Sequence, residues 1–582
     1  MHRQWPNSLI AMNLKLLSRW LLCIASGAGA LCSTSAADDK AAETKSKLRD
    51  LTNYDLETLM NMRVMSPSRK EEKLSESATA ISVITQEDIR RSGMTTLPEL
   101  FRMVPGMEVA RVNADQWAVS ARGFNDPYAD KLLVLIDGRT VYTPSFGGVF
   151  WLDQDVVLED LERIEVIRGP GATLWGANAV NGVINIITKK ASETQGLLVS
   201  GAYGTLEQPS TSIRYGDKVG DTISYRVYAK YFNHENFEDA SGNSLPDDWR
   251  MGSGGFRLDW DPSRENSFTL DSRIFASSLG EQHRVPQLTP PYESKRVTDN
   301  DNRGGHVLGR WTHTVSDDQQ FSLQAYYDRS IHQEFGVEVR QDTFDLEFQH
   351  QFKPLARNEI VWGVGYRYLP DELKPGPSIS WTDEKTHHQL ANFFAQDEVT
   401  LVEDRLKFTF GTKLEHNDYT GVEVQPSGRL LYTPTEKQSL WAAVSRAVRT
   451  PTRADTSLIG DFRALPTGTF PPTVLLRTYG NPNFESEEII AYELGYRARP
   501  LERVSLDVAG FVNRIEGLRG FAPGTAFVEP EPGGGVHVVQ PATATNLSSG
   551  YSYGAEVSAE WRALDHLRLD RKSTRLNSSH RT

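Results

Sequence analysis

RIEVIRGPGATLWGANAVNGVINIITKK, residues Arg163 to Lys190, decides how the rest of the chain reads. Two β-branched runs, Ile164, Val166, Ile167 and then Val183, Ile184, Ile186, Ile187, flank a knot of Gly169, Pro170, Gly171, Gly176, Asn178, Asn181 and Gly182. Gly and Asn tolerate positive φ and Pro presets a turn, so the stretch predicts a compact strand–turn–strand unit.

Upstream of it the chain mixes element types. Ile81 to Thr85 reads as a strand, Gln86 to Gly93 as a short helix stopped by Gly, and Thr96 to Met103 as a second helix broken by Val104-Pro105-Gly106. Leu132 to Ile136 reads as a buried strand closed by an Asp137-Gly138 turn, and Val156 to Leu161 as a short helix. Residues 78–190 therefore form a small α+β domain. Asp38 to Ser77 is polar and charged and reads as a flexible segment, with a helical turn at Asp55 to Met62.

Downstream the period changes. From about Gly196, segments of roughly ten residues alternate strictly, as in outer-membrane barrels. Thr222 to Phe232 sets Ile223, Tyr225, Val227, Ala229 and Tyr231 against Ser224, Arg226, Tyr228 and Lys230; Thr343 to Phe352 and Arg405 to Glu415 repeat the pattern. A soluble β-sandwich alternates too, but the number, length and aromatic ends of these segments favour a barrel. Short turns at 261–266, 316–319, 402–404, 434–437 and 500–503 alternate with long polar connections at 277–303, 369–385, 447–487 and 515–550. That asymmetry also belongs to outer-membrane barrels, and about sixteen full strands are expected over 195–569, with another starting near Leu567.

The first residues read as a secretory signal over 1–37. Lys15 and Arg19 give a positive start, Trp20 to Leu31 an apolar run, and Ser33 to Ala37 small residues for cleavage; Met12 is an alternative start. Both cysteines of the chain, Cys23 and Cys32, fall inside that signal, which excludes disulfides and Cys-ligated zinc from the mature protein. No later run reaches about 18 apolar residues, so no transmembrane helix is expected. A net charge of −13 argues against nucleic acid as a partner. At the other end, Asp570 to His580 reads DRKSTRLNSSH. A common sequencing-library adapter encodes that string codon for codon, so 570–582 is expected to be translated adapter.

Several pieces together resemble TonB-dependent outer-membrane receptors: SATAISVITQEDIRRSG from Ser77, PGMEVAR from Pro105, SARGF at Ser120 to Phe124, LVLIDGR at Leu133 to Arg139, and the opening stretch. SRAVRTPTRAD at Ser445 to Asp455 and NPNFESEEIIAYELGYR at Asn481 to Arg497 resemble barrel segments of the same family. The resemblance implies an all-β fold with an α+β plug. A large antiparallel transmembrane barrel, about 22 strands in plugged transporters, would be filled by the N-terminal domain. Against that number about six strands are missing here. The family implies a receptor and importer, not an enzyme, energised by TonB with ExbB and ExbD, embedded in outer-membrane lipid, working as a monomer and without a cofactor. Its ligand is expected to be an extracellular iron chelate, with cobalamin, haem or an oligosaccharide as alternatives. A passive porin and a soluble exported β-rich binder are the rivals from other classes.

The resemblance also implies sites. A TonB box belongs at Met62, Arg63, Val64, Met65 and Ser66, where strand addition to TonB uses main-chain hydrogen bonds and tolerates loose sequence; a plain linker is the other reading. The short stretch before this box leaves no room for an added signalling domain. Arg122 and Arg168 match plug arginines that meet barrel glutamates in the family. Periodicity finds those glutamates independently. Ile490, Tyr492, Leu494 and Tyr496 face lipid, so Glu493 faces inward; Tyr551, Tyr553, Val557 and Trp561 face lipid, so Glu556 does too. The expectation is a plug–barrel lock, with solvated lumen charges as the alternative. Ligand contacts are expected among Trp117, Asn125, Tyr128, Arg139, Tyr142, Phe146, Phe150 and Trp151, since aromatics with Arg suit a charged, aromatic chelate; packing against the wall is the competing role. Histidines are scattered, and the adjacent His387-His388 pair points to opposite faces of a strand, a poor chelate. No resident metal site and no nucleophile–base spacing is expected.

Overall fold

The computed structural model describes residues 62–581 apart from 472, 532–533 and 565–566. The expected signal, the helical turn at Asp55 to Met62 up to its last residue, and the segment before Met62 lie outside the described residues.

The opening stretch folds as its composition requires. Leu161–Arg168 and Gly182–Thr188 are antiparallel neighbours, joined by the short helix Ala172–Trp175. They are the middle of a five-stranded sheet in the order Ala80–Thr85, Leu161–Arg168, Gly182–Thr188, Leu132–Ile136, Arg139–Thr140. Leu132–Ile136 runs parallel to Gly182–Thr188, and its side chains are buried on both faces, as its unbroken apolar run demands. Asp137 and Gly138 both take positive φ and turn the chain into Arg139–Thr140. Gln86–Ser92 is a helix with Thr85 in a capping box and Gly93 left-handed at its end. Phe101, Trp117, Trp151, Ile164, Val166 and Ile184 form the domain core, which also takes in Phe232, Trp249, Met251 and Leu279 from the surrounding wall.

That wall is one sheet of twenty-one strands, from Gly196–Ala202 to Leu567–Arg581, antiparallel except where Thr473–Tyr479 runs parallel to Val536–Leu564. Four of them, Ile379–Trp381, Leu458–Pro466, Thr473–Tyr479 and Phe527–Pro530, are short strands of the long loops, which leaves seventeen wall strands among the described residues. The pleat sorts the side chains as expected: Tyr492 and Leu494 are 52 % and 64 % exposed on the outer surface, while Glu493 between them is 8 % exposed. Among the described residues the first and last strands each have one ladder partner, so the sheet is open between them. Leu567–Arg581, which carries the residues read as adapter, pairs along Val536–Leu564. Main-chain ladder bonds make few demands on sequence, and an unpaired edge templates whatever strand is near.

Two expectations change. The long polar connections are mostly strand: 277–303 is a hairpin of Asn266–Pro286 and Glu293–Ser316, and 515–550 is largely Val504–Pro523 with Val536–Leu564. Above the lipid both faces of a strand meet water, so its period-two signature vanishes while its hydrogen bonds persist. The second is the segment before Ser77, expected to be flexible. From Met62 on it is seated: Ser66, Ser68, Arg69 and Lys70 are buried between the inner domain and the wall.

Candidate functional site

The inner domain meets the wall through a cluster of four charged side chains. Arg122 donates from Nη1 to Glu493 Oε1 at 2.7 Å and from Nε to Glu556 Oε1 at 2.9 Å. Arg168 donates from Nη1 to Glu556 Oε2 at 3.0 Å and to the Pro105 carbonyl at 3.1 Å. Arg122 also stacks its guanidinium 4.1 Å from the Phe511 ring. All four are buried, so the structure brings together the residues that periodicity and motif had marked separately. Gly106 and Gly169, both at positive φ, let the backbone come this close: a Cβ would lie 2.5 Å from Glu556 Oε1 at one and 2.4 Å from Glu493 Oε1 at the other. A buried pair adds little net stability, but removing one partner strands the other charge.

A second cluster was not anticipated. Arg449 on the wall donates to Asp455 at 2.7 Å and to Glu487 at 2.8 Å, while Lys131 of the inner domain bonds Glu487 at 2.8 Å and Asp130 at 2.9 Å. Beside it the backbones join: Asn178 N donates to the Val448 carbonyl, Arg453 N to Pro144 and Ala454 N to Ser145. The motif segments SRAVRTPTRAD and NPNFESEE supply Arg449, Asp455 and Glu487. That one of these segments carries Arg449 and the other Glu487 was the available signal.

The Met62–Ser66 segment is held inside the molecule. Arg63–Val64 pairs with Glu72–Lys73. The Glu165 carboxylate accepts from Met65 N at 3.1 Å and Ser66 N at 2.8 Å, Trp175 Nε1 donates to the Ser66 carbonyl, and Asn185 Nδ2 donates to Ser66 Oγ. Just beyond, Arg69 bonds Glu347 at 2.6 Å and lies over the Trp175 and Phe394 rings, and Lys70 bonds Glu359 and Glu398.

The expected ligand contacts divide. Tyr128, Phe146 and Phe150 form an edge-to-face chain with centroids 5.1 and 5.0 Å apart, ending with Phe150 stacked on His332 of the wall. Asn125 is exposed and Tyr142 half-buried. Trp117, Trp151 and Arg139 are elsewhere. Trp117 is 1 % exposed, bonded to Glu99 and packed on Trp249; Trp151 lies against Phe101 in the core; Arg139 is paired with Asp328 at 2.7 Å. These three are corrected from ligand contacts to packing and wall contacts, because composition cannot tell an aromatic at an outer loop from one filling the core.

Between the inner domain and the wall strands spanning Arg310 to Tyr419 runs a cavity of about 950 Å³. Arg63, Met65, Arg69 and Lys70 line it beside the short turn at Ser316; Tyr142, His388, Tyr419 and Pro451 line it toward the long loops. Among the described residues no helix is long and apolar enough to cross a membrane, and no three His, Cys, Asp or Glu side chains converge on a point.

Comparison with known proteins gives two family matches: the TonB-dependent receptor plug domain over residues 73–183 and the TonB dependent receptor-like β-barrel over residues 195–579. Among curated proteins the chain is similar to the vitamin B12 transporter BtuB of Vibrio cholerae, 34% identical over 158 residues, 27% of this chain and 25% of that protein. It is also similar to the iron-regulated outer membrane virulence protein of the same species, 24% identical over 445 residues, 72% of this chain and 63% of that one. The chain thus spans between a quarter and 63% of the length of these relatives. Among solved structures, the siderophore receptor PirA of Pseudomonas aeruginosa superposes with a TM-score of 0.65 at 20% identity, covering 86% and 85% of the two chains. The ferric enterobactin receptor PfeA of that organism gives 0.69 at 18% identity, over 86% and 80%. At such identities these likenesses speak for the fold.

Proposed function

The chain belongs to the TonB-dependent receptors, and on that premise we propose that it imports a ferric chelate across the outer membrane, driven by TonB with ExbB and ExbD. The fold is that of an outer-membrane barrel filled by a plug. One observation supports import over passive diffusion: the plug fills the barrel and is fastened to it through Arg122, Arg168, Glu493 and Glu556. A porin has no use for such a stopper. Met62 to Ser66 would serve as the TonB box. It is tied down by the Glu165 carboxylate and by a two-residue strand, contacts weak enough to exchange for a strand of TonB. Asn125, Tyr128, Tyr142, Phe146 and Phe150 would meet the ligand at the outer face.

A ferric siderophore leads as the ligand, supported by the half-buried aromatic chain and by iron-linked relatives. Cobalamin is the second reading, favoured by the similarity to B12 transporters; haem and oligosaccharides are further members of the class. Growth of an iron-limited receptor-deficient strain carrying the complete receptor, fed single chelates, tests the choice. Rescue by one siderophore is expected. Rescue of B12-dependent growth instead would move the ligand to cobalamin.

A further inference from the structure

The aromatic chain at the outer face stands in an acidic setting. The Tyr128 hydroxyl donates to Glu334 Oε1 at 2.7 Å, and Gln116 Nε2 reaches the same oxygen at 3.2 Å. The next residue on the wall, Phe335, places its ring 6.4 Å from that of Tyr128 and takes a left-handed φ of 53°. Its amide donates to both oxygens of Glu281, at 3.1 and 2.9 Å. Asp115, beside Gln116 on the plug, is 4 % exposed. Burial, and then the carboxylates of Glu334, Asp247 and Glu281, push its carboxyl well above the usual carboxylate range. Asp115, Glu281 and Glu334 thus gather about the rings of Tyr128, Phe146 and Phe335.

No lysine or arginine answers these acids. Among the described residues Asp115 forms no ion pair, and Glu281 and Glu334 are approached only by His283 and His332, each at 3.9 Å. His332 is already committed to Asp153 at 2.8 Å. Arg111 lies over the Trp117 and Phe237 rings and donates to the Asn113 and Ala114 carbonyls. Arg139, the arginine expected on this face, is paired with Asp328. His283 is a second, separate sign of a partner from outside the chain. It is 5 % exposed and edge-on to Phe335 at 6.2 Å, and neither of its ring nitrogens has a hydrogen-bond partner among the described residues. Buried polar groups are normally bonded, so such a ring calls for a ligand atom.

We propose that this face binds a cationic arm of the imported ligand, a protonated amine, between the rings of Tyr128, Phe146 and Phe335 and the carboxylates of Asp115, Glu281 and Glu334. Ring faces attract a cation through their quadrupole, and carboxylates give it charge-assisted acceptors. An ammonium carries three N–H donors, enough to serve carboxylates and a neutral His283 at once. A metal ion fits less well, because these side chains do not converge on one point. An anionic ligand would face like charge at every acid of the group. No covalent bond is made or broken, and the amine arrives protonated and stays so.

The site's physiological meaning rests on the importer reading, whose ligand it narrows to a chelate with a positive arm, while its test reads binding. The purified full chain in detergent is dialysed to equilibrium against three forms of one ferric trihydroxamate: with a pendant primary amine, with that amine acetylated, and with it succinylated. The arms are cationic, neutral and anionic. The amine form is expected to bind about ten-fold or more tighter than the acetylated form, and the succinylated form most weakly. Asp115→Asn with Glu334→Gln should level the three, and His283→Gln should weaken the amine form alone. Glu293→Gln, at an exposed acid outside the group, should change nothing. Equal binding of the three forms, no binding of the amine form, or a preference that survives in the double variant overturns the proposal. So does displacement of the amine form by millimolar calcium but not by sodium of equal ionic strength, which would assign the carboxylates to a metal ion. If the double variant does not fold, the charge series on the unaltered chain decides. Charge preference without TonB-dependent uptake would strike the importer reading and leave the site standing; TonB-dependent uptake of all three forms alike would do the reverse.

Discussion

Two sides of the plug meet the wall in different ways. On one side Arg122 and Arg168 are locked to Glu493 and Glu556, with Phe511 against the guanidinium. On the other, the strand Leu132–Ile136 and the segment from Arg63 to Lys70 face a polar cavity of about 950 Å³. The first seam is made of directional, buried ion pairs that tolerate no sliding. The second has room, and its contacts, Arg69 to Glu347 and Lys70 to Glu359 and Glu398, belong to a segment held to the plug through hydrogen bonds with Glu165, Trp175 and Asn185. The plug is thus fastened on one side and left yielding on the other.

The contrast predicts unequal responses to equal chemistry. Glu556→Ala should be the most damaging change, since it strands buried Arg168 and leaves Arg122 with Glu493 alone; about 3–5 kcal/mol of plug stability should be lost, visible as a lower urea midpoint for plug tryptophan fluorescence. A midpoint like that of the unaltered protein would mean the lumen charges are solvated. Glu165→Ala comes next. It removes the acceptor of Met65 N and Ser66 N, and amide exchange there should speed up by about ten-fold, with little change at Arg122.

A pH effect is expected on the yielding side. Desolvation pushes the Glu72 carboxyl up to about 7, with Lys70 opposing and Glu398 adding to the rise. The seated segment therefore holds this proton more tightly than the released one. Seating is strongest below the ordinary Glu range and weakens as pH rises through about 7. Intrinsic-rate-corrected exchange over residues 62–73 should increase from pH 5 to pH 8, and Glu72→Gln should flatten the profile. The smallest effect belongs to Arg63→Ala. Its pair with Glu71 is well exposed, so less than about 0.5 kcal/mol should be lost.

The fastened side was legible in the sequence, because each of its glutamates sits between lipid-facing apolar residues, Tyr492 and Leu494 or Ala555 and Val557, on a strict period-two strand and each arginine sits in a motif. The yielding side was not. Arg69 and Lys70 lie in a polar stretch with no period, and their partners come from strands hundreds of residues away. The same holds for Arg449 and Lys131, which share Glu487 only when the chain after Arg449 folds onto the plug. Trp117 and Trp151 show the opposite failure: their type suggested a ligand, and only burial against Trp249 and Phe101 reveals core residues.

The most direct measurement is uptake of a radiolabelled ferric chelate by cells carrying the complete receptor, with and without TonB. Accumulation that needs both TonB and an intact Met62–Ser66 segment is the predicted result. Equal accumulation without TonB would contradict it and make the barrel a passive pore.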